Sequence, residues 1–282
     1  MTICIGVKVH DCLVLAADSA TSLVGQDSAG NPAIVNVYAH GNKVFNLVKG
    51  LPVAAMTCGM GNIGSASISS IAKELRRELS ETPEKGGLDK NSYTIEDIAK
   101  RAKAILYDRH YKDLEFPPNG DHSLEFYVGG YSSGSRSAEL WKVLIFNGAC
   151  HEPEEQMPDT DHFVTWSGQP EALSRLLLGF SPAVGDALLK AGVEESKLPA
   201  LMELIKGHTA SPLVEPAMPT GDAIALADFL VDVTKQYVHF RHGADTVGGD
   251  TDIATVTRYE GFKWIRRKHF YPRSLNMETD HV

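Results

Sequence analysis

The sequence predicts an α+β fold: a four-layer αββα sandwich, in which two antiparallel sheets face each other and helices cover both outer surfaces. Three observations carry this. The first sixty residues are almost all strand. The apolar period then becomes helical for two amphipathic segments. Strands later return in pairs whose connections are too short for crossovers, so the pairs are antiparallel.

Each element follows from local pattern. Residues 3–9 (ICIGVKV) and 12–17 (CLVLAA) are β-rich and meet at His10-Asp11, a hairpin at the chain start. Residues 19–33 are polar and Gly-rich and read as a loop or extension. Strands follow near 43–48 and 52–58, with Lys49-Gly50 as the turn. Ile68, Ile71, Ala72, Leu75 and Leu79 then recur at helical spacing, with charged residues largely on the other face. After a loop at 80–93, Thr94 is the expected N-cap of a second helix with Asp97 three residues on. Its stripe is Ile95, Ile98, Ala102, Ile105 and Leu106.

Strands at 123–131 and 138–146 are joined by a Ser/Gly turn at 132–137. An acidic loop covers 151–161. A short strand near 163 runs into Ser167-Gly168-Gln169-Pro170 and a helix with Leu173, Leu176 and Leu177. Residues 183–206 read as helical. The segment 221–240 is apolar nearly all round and is expected to be a buried helix. Two strands near 251–257 and 262–266 and a basic tail close the chain. The Pro-rich stretch with Pro212, Pro216 and Pro219 offers the one boundary candidate. The strands after it are needed by the same core, so residues 1–282 are expected to form one domain.

Composition narrows the function classes. The chain has 282 residues, with 27 Lys plus Arg against 36 Asp plus Glu, a net charge of −9. An acidic balance without a basic stripe argues against a nucleic-acid binder. No apolar run approaches the ~18 residues of a membrane span. No positive segment precedes the apolar run at Leu13–Ala17, so a cytoplasmic protein without an export signal is expected. Cys4, Cys12, Cys58 and Cys150 form no C-x-x-C pair and fit reduced thiols.

The chemistry begins at Thr2. Met is commonly removed before a small residue, which would leave Thr2 with a free amine. That amine has a pKa near 8 and can take the hydroxyl proton directly or through water. Many chains begin Met-Thr, so the context decides. Asp18 ends the hairpin whose first strand starts at Thr2, and a hairpin returns its end to its start. Lys43 opens the next strand. A Lys⁺ near Thr2 would lower the pKa of its hydroxyl and amine, with Asp18 holding the Lys. A plain ion pair at a strand end is the simpler reading of those two.

Gly59, Gly61 and Gly64 match G-x-G-x-x-G between a strand and a helix. A dinucleotide site would need one preceding strand, a βαβ unit and an acid ending the next strand about 20 residues on. Here several strands come first and Glu78 lies in a helix. The alternative use is an oxyanion hole made by backbone N–H groups at a Gly turn before a helix.

Taken together, T-I-C-I-G-V-K-V-H-D-C-L-V-L-A-A-D-S, then N-K-V-F-N-L, then A-A-M-T-C-G-M-G-N resembles the start of a proteasome β subunit. It is also similar to the bacterial proteasome-related peptidases, which share the N-terminal-nucleophile (Ntn) hydrolase fold. The likeness continues through Y-V-G-G-Y…A-E-L-W-K-V, W-S-G-Q and A-D-T-V-G-G-D-T-D-I-A-T-V.

The resemblance implies that Thr2 is the nucleophile and that Asp18 and Lys43 activate it. It implies an oxyanion donor at the backbone N–H of Cys58 or Gly59; a one-residue gap leaves both open. Ser167 matches the serine of the family's S-G turn, and Asp245 the aspartate of its D-x-x-S-G-G motif. Met56 and Met60 fall where the family lines its specificity pocket. Stacked homo-oligomeric rings, a peptide or unfolded-protein substrate and no cofactor are implied too.

There are departures. The loop between Asp18 and Lys43 is longer than usual, and Gly248 stands where the family has a serine that helps hold the amine. Helices around 183–206 and the tail 266–282 exceed the family core. Activation is expected to need only removal of Met1. A threonine-type peptidase is therefore the leading reading. A ring-forming scaffold that lost proteolysis, a small-amide hydrolase and a dinucleotide binder are the alternatives.

Three further clusters have plain readings. The loop from His151 to His162, with Glu152, Glu154, Glu155, Asp159 and Asp161, could bind a metal but reads as a solvated linker. His239, His242 and Asp245 follow a helix end, where His commonly meets the dipole, with a zinc site as the alternative. Arg266, Arg267, Lys268 and His269 read as a solvated basic tail or a contact between ring subunits.

Overall fold

Strand alternation at the N-terminus sets the layers. β1 (Ile3–Lys8) and β2 (Cys12–Ala17) pair antiparallel, with Val7 opposite Val14 and Cys4 opposite Ala17. In β1, Ile3, Ile5 and Val7 face one way, while Cys4 faces the other. Both faces are buried, so the hairpin lies at the centre of the molecule. The computed structural model describes residues 2–26, 30, 32–114 and 123–268.

The next strands are β3 (Thr21–Gln26), β4 (Pro32–Tyr38), β5 (Val44–Asn46) and β6 (Val53–Gly59), then a miniature hairpin, β7 (Asn62–Ile63) with β8 (Ala66–Ser67). Helix α1 (Ile68–Leu79) is capped by the Ser67 hydroxyl, which accepts from Ser70 N–H. It buries the expected stripe Ile68, Ile71, Ala72, Leu75 and Leu79. Helix α2 (Ile95–Lys103) starts at Thr94, whose hydroxyl accepts from Asp97 N–H at 3.0 Å. It continues through wider π-helical turns to Tyr111, and its five predicted stripe residues are buried.

β9 (Ser123–Gly130) and β10 (Glu139–Phe146) form the expected hairpin, followed by the short strands β11 (Ala149–Cys150) and β12 (Glu154–Glu155). β13 (Phe163–Gly168) leads into α3 (Glu171–Leu173) and further π-helical turns to Leu178. Then come α4 (Val184–Lys190), α5 (Leu198–Thr209), α6 (Thr220–His239), β14 (Asp252–Thr257) and β15 (Gly261–Arg266).

Two main sheets result. One has the order β13-β1-β2-β14-β15; the other is β11-β10-β9-β6-β5, with β12 also on β10. Between them Cys4, Leu13, Leu15 and Ala17 meet Ala54, Met56, Tyr127 and Leu140. Outside the first sheet, Ile3, Ile5 and Val14 pack against Leu173, Leu230 and Val231 of the helices. Outside the second, Val53, Ala55, Phe126 and Val128 pack under α1 and α2. This is the αββα order that the sequence predicts. Each fully buried Leu, Ile, Val or Phe adds roughly 1.5–3 kcal/mol of transfer free energy.

Several expectations need correction. The stretch 19–33 is not a plain loop: among the described residues β3 and β4 pair with each other alone, as a ribbon outside both sheets. The Gly, Asp and Asn around its tip hide these strands from the sequence reading. Positions 27–29 and 31 of that stretch lie outside the described residues.

Helix α6 is not buried all round. It buries Ala223, Ala227, Leu230, Val231, Thr234 and Val238 on one stripe and leaves Phe229 half exposed. The 183–206 region divides at Gly192, whose φ of +95° ends the helical course, and neither α4 nor α5 holds a buried residue.

The basic tail is not simply solvated. Lys268 is buried against Asp252, and Arg266 makes a bidentate pair with Asp228 at 2.8 and 2.9 Å. His269 and the rest of the tail lie outside the described residues. The three cysteines Cys4, Cys12 and Cys58 are buried free thiols, and Cys150 is half-buried. Among the described residues no helix is long and apolar enough to cross a membrane. Nor do three His, Cys, Asp or Glu side chains gather there in a way that could hold a metal.

Candidate active site at the start of the first strand

Asp18 organises the site. It follows β2 directly, so the β1–β2 register brings it beside the beginning of β1. Its Oδ1 accepts from Ile3 N–H at 3.0 Å and from Lys43 Nζ at 2.6 Å. Its Oδ2 accepts from the N–H groups of Ala20 and Gly248, each at 3.0 Å. A fully buried carboxylate is tolerable because three backbone donors and one ammonium surround it. Lys43 and Ile3 share one oxygen, so the ammonium stands one hydrogen bond beyond the atom that fixes the Thr2–Ile3 peptide.

Thr2 is buried and continues the β1 alternation, with its side chain on the inter-sheet face. Its carbonyl accepts from Gln169 N–H at 2.9 Å, which ties it to the turn after β13. Gly168 sits in that turn with φ +104°, and a Cβ there would collide with the Thr2 carbonyl. The same Cβ would lie 3.1 Å from Cys58 Sγ, so Thr2, Gly168 and the end of β6 converge. Ser167 stands opposite Cys4 in the β1–β13 register, one residue deeper, and is buried. Its hydroxyl reaches Cys58 and Tyr127. Tyr127 in turn donates to Glu125 through a short bond, and burial, then Glu125, pushes its phenol well above the usual range.

Backbone alternation separates the two oxyanion candidates. Thr57 N–H points to β5, donating to Lys43 C=O at 2.9 Å, while Met60 N–H points to β9, donating to Ser123 C=O at 2.9 Å. Successive N–H groups along a strand point to opposite edges. Cys58 N–H therefore faces Glu125, its partner in β9, and belongs to the ladder. Gly59 N–H faces the edge beyond the end of β5, where Val44 is the last paired residue. Gly59 has φ +99°, and a Cβ there would strike the Ser123 carbonyl, so glycine is required. The Gly turn does not open a helix as expected: β7 and β8 intervene, and α1 begins only at Ile68.

Three sequence candidates stand apart from this group. Asp245 is turned outward and accepts from His239 Nδ1 at 3.0 Å, with both side chains more than half exposed. Both line the rim of a groove of about 560 Å³ walled by Ala20, Val37, Ala39, Phe240 and Gly248. Gly248 meets Asp18 through its backbone N–H. Met56 is buried in the inter-sheet core, whereas Met60 packs with the cluster under α1 and α2. The turn at Gly59 sends them to different layers, so they do not line one pocket.

Two supporting groups carry no signal in the sequence. Ser19, next to Asp18, accepts from Lys268 Nζ at 2.7 Å and donates to Asp250 C=O. Lys235 on α6 donates to Gly249 C=O at 2.7 Å, which steadies the loop that carries Gly248. Both contacts span long sequence separations and carry no local signature.

Among solved structures, the fold is similar to Anbu (Gly-1) mutant from Hyphomicrobium sp. strain MC1. The TM-score is 0.50 at 14% identity, covering 95% of this chain and 86% of that one. No protein-family model matches the chain, and no curated protein matches it. The likeness is one of fold: a mixed sandwich of antiparallel sheets and helices with the architecture of the Ntn hydrolases.

Proposed function

We propose that the chain is an N-terminal threonine amide hydrolase, acting on peptide bonds within a self-compartmentalising ring of identical subunits. The observation that carries this reading is the shared Asp18 oxygen, which sets a buried ammonium beside the Thr2–Ile3 peptide. Removal of Met1, which lies outside the described residues, would free the Thr2 amine. The amine accepts the Oγ proton, and the Lys43 charge favours the oxyanion form of Thr2. Oγ then attacks the carbonyl carbon of the substrate. Gly59 N–H donates to the oxygen as negative charge develops. The amine returns its proton to the departing amine, and water hydrolyses the Thr2 ester by the same route in reverse. Ser167, opposite Cys4 in the β1–β13 register, would orient the Thr2 end through the strand pairing. The ring and the peptide substrate rest on the family resemblance.

The test pairs two measurements on the demethionylated protein. A β-lactone or epoxyketone should add to Thr2 by intact mass and peptide mapping, and native mass should give a closed ring. Absence of an adduct on chains that do begin at Thr2 would defeat the hydrolase reading.

Two observations favour a second reading, a ring scaffold without proteolysis: position 248 has no hydroxyl and Asp245 is occupied by His239. A uniformly retained Met1 with an intact ring would support it. Turnover of small amides without peptide cleavage would point instead to an amidase.

A further inference from the structure

The inter-sheet face beneath Thr2 holds two thiols that the proposed hydrolysis does not use. Cys4 lies on β1, two residues from Thr2; Cys58 lies on β6, one residue before Gly59. Cys4 Sγ donates to the Thr57 carbonyl at 2.9 Å, the peptide that leads into Cys58. The two thiols lie close enough to perturb each other's titration. Cα atoms of β1 and β6 approach within 8 Å, closer than the about 10 Å of ordinary stacked sheets. A disulfide would hold the two Cα atoms about 4.4–6.8 Å apart.

The two thiols are unequal. The Cys4 hydrogen bond pulls the Cys58 thiol below its ordinary value, against burial, and Ser167 and Lys43 act in the same direction. Burial, reinforced by Cys58, pushes the Cys4 thiol well above its ordinary value. Cys58 is 7% exposed and Cys4 is sealed at 0%, so a small oxidant entering at Thr2 meets Cys58 first. A reactive thiolate backed by a protonated second thiol is the arrangement of a peroxide-sensitive pair.

We infer that Cys4 and Cys58 are an oxidation site, closed by hydrogen peroxide into a disulfide that ties the Thr2 strand to the strand ending at Gly59. The Cys58 thiolate attacks one peroxide oxygen; an S–O bond forms, the O–O bond breaks, and hydroxide leaves to be protonated to water. Cys4 sulfur then attacks the sulfenic sulfur. Its proton passes to the departing hydroxyl, the S–S bond forms, and a second water leaves. Two thiols lose two electrons and one peroxide becomes two waters.

The disulfide removes the thiolate that Ser167 contacts and fixes the spacing between Thr2 and Gly59. If the hydrolase reading holds, turnover falls on oxidation and returns with dithiothreitol. That consequence rests on the proposed function; the disulfide itself does not.

The experiment uses the reduced full-length protein and stoichiometric hydrogen peroxide, then denaturing alkylation and peptide mapping. The expected product has lost two hydrogens, joins the Cys4 and Cys58 peptides, and carries alkyl groups on Cys12 and Cys150. Dithiothreitol restores four alkylated thiols. Cys4→Ala and Cys4→Ser should each leave a Cys58 sulfenic acid that a cyclic 1,3-dione traps, with little trapping in the unaltered protein. Four free thiols after treatment, a different pair, or equal trapping with and without Cys4 would each overturn the inference. The mass readout decides it even where no hydrolysis is found.

Discussion

Lys43 Nζ lies 2.6 Å from Asp18 Oδ1, with both side chains almost sealed from solvent at 7% and 0% exposure. The two partners are not equivalent. Asp18 also receives three backbone N–H groups, whereas the ammonium leans on Asp18. Asp18→Ala would leave a buried charge and three donors unsatisfied, and should cost about 3–5 kcal/mol. Lys43→Met leaves the N–H cradle around the carboxylate and should cost clearly less. Urea unfolding with unchanged m-values gives the comparison. Equal losses would mean that the cradle does not hold the carboxylate. Under the hydrolase reading, folded Lys43→Met should no longer label at Thr2.

Gly248 and Gly249 are adjacent, yet they should respond in opposite ways to a side chain. A Cβ on Gly248 meets open space, while its N–H and C=O are held by Asp18 and Ser19. Gly248→Ser should therefore stay within about 0.5 kcal/mol of the parent, as substitutions away from packed contacts do. Gly249 has φ +72°, and its Cβ would press on the Ala39 carbonyl. Gly249→Ser should lose about 1–3 kcal/mol through backbone strain and displacement. If the proposed nucleophile is weak because position 248 lacks a hydroxyl, Gly248→Ser should also label faster at Thr2. An unchanged labelling rate would show that the hydroxyl is not what limits it.

Most of the fold was legible because it is written in short-range periods. The stripe of α1, the Thr94 cap and the β1–β2 alternation each depend on neighbours within a few residues. The closeness of Asp18 to the chain start follows from hairpin geometry alone. Other features depend on tertiary placement. The exposure of Phe229 is decided by how α6 lies on its sheet, not by its composition. Lys268 looked like one member of a basic run because Asp252 and Ser19 are remote in sequence. The G-x-G-x-x-G spacing could not reveal β7 and β8, two-residue strands below any periodic signal. Asp245 matched by motif, but its partner is His239, six residues back at the helix end.

Lys268 provides a separate test of buried charge. Its ammonium bonds Asp252 and Ser19, and its backbone N–H donates to Asp252 Oδ1 at 3.0 Å. Lys268→Met should cost about 3–5 kcal/mol by stranding the Asp252 carboxylate. Adding Asp252→Asn should recover much of that loss, since the remaining group is uncharged. Arg267→Ala removes a stacking contact with Trp264 at 4.9 Å from the ring centre and should cost about 1 kcal/mol or less. A double variant as unstable as Lys268→Met would show that lost packing, not the stranded charge, sets the cost.

The cysteines should differ in their pH dependence toward a small alkylating reagent. Only the thiolate reacts, so each rate climbs as pH rises through that thiol's pKa and then levels. Burial pushes Cys150 up to about 11, opposed by Lys103. Its rate should still be rising at pH 10. Cys58 is held below the ordinary thiol value, chiefly by its hydrogen bond from Cys4, so its rate should level first. Cys4→Ala removes that bond and should move the Cys58 profile to higher pH, leaving Cys150 unmoved. Site-resolved alkylation of the folded protein and of Cys4→Ala across pH 6–10, read by peptide mass, measures these profiles. Profiles for Cys58 and Cys150 with the same midpoint would contradict the assigned environment of Cys58, and with it the unequal pair.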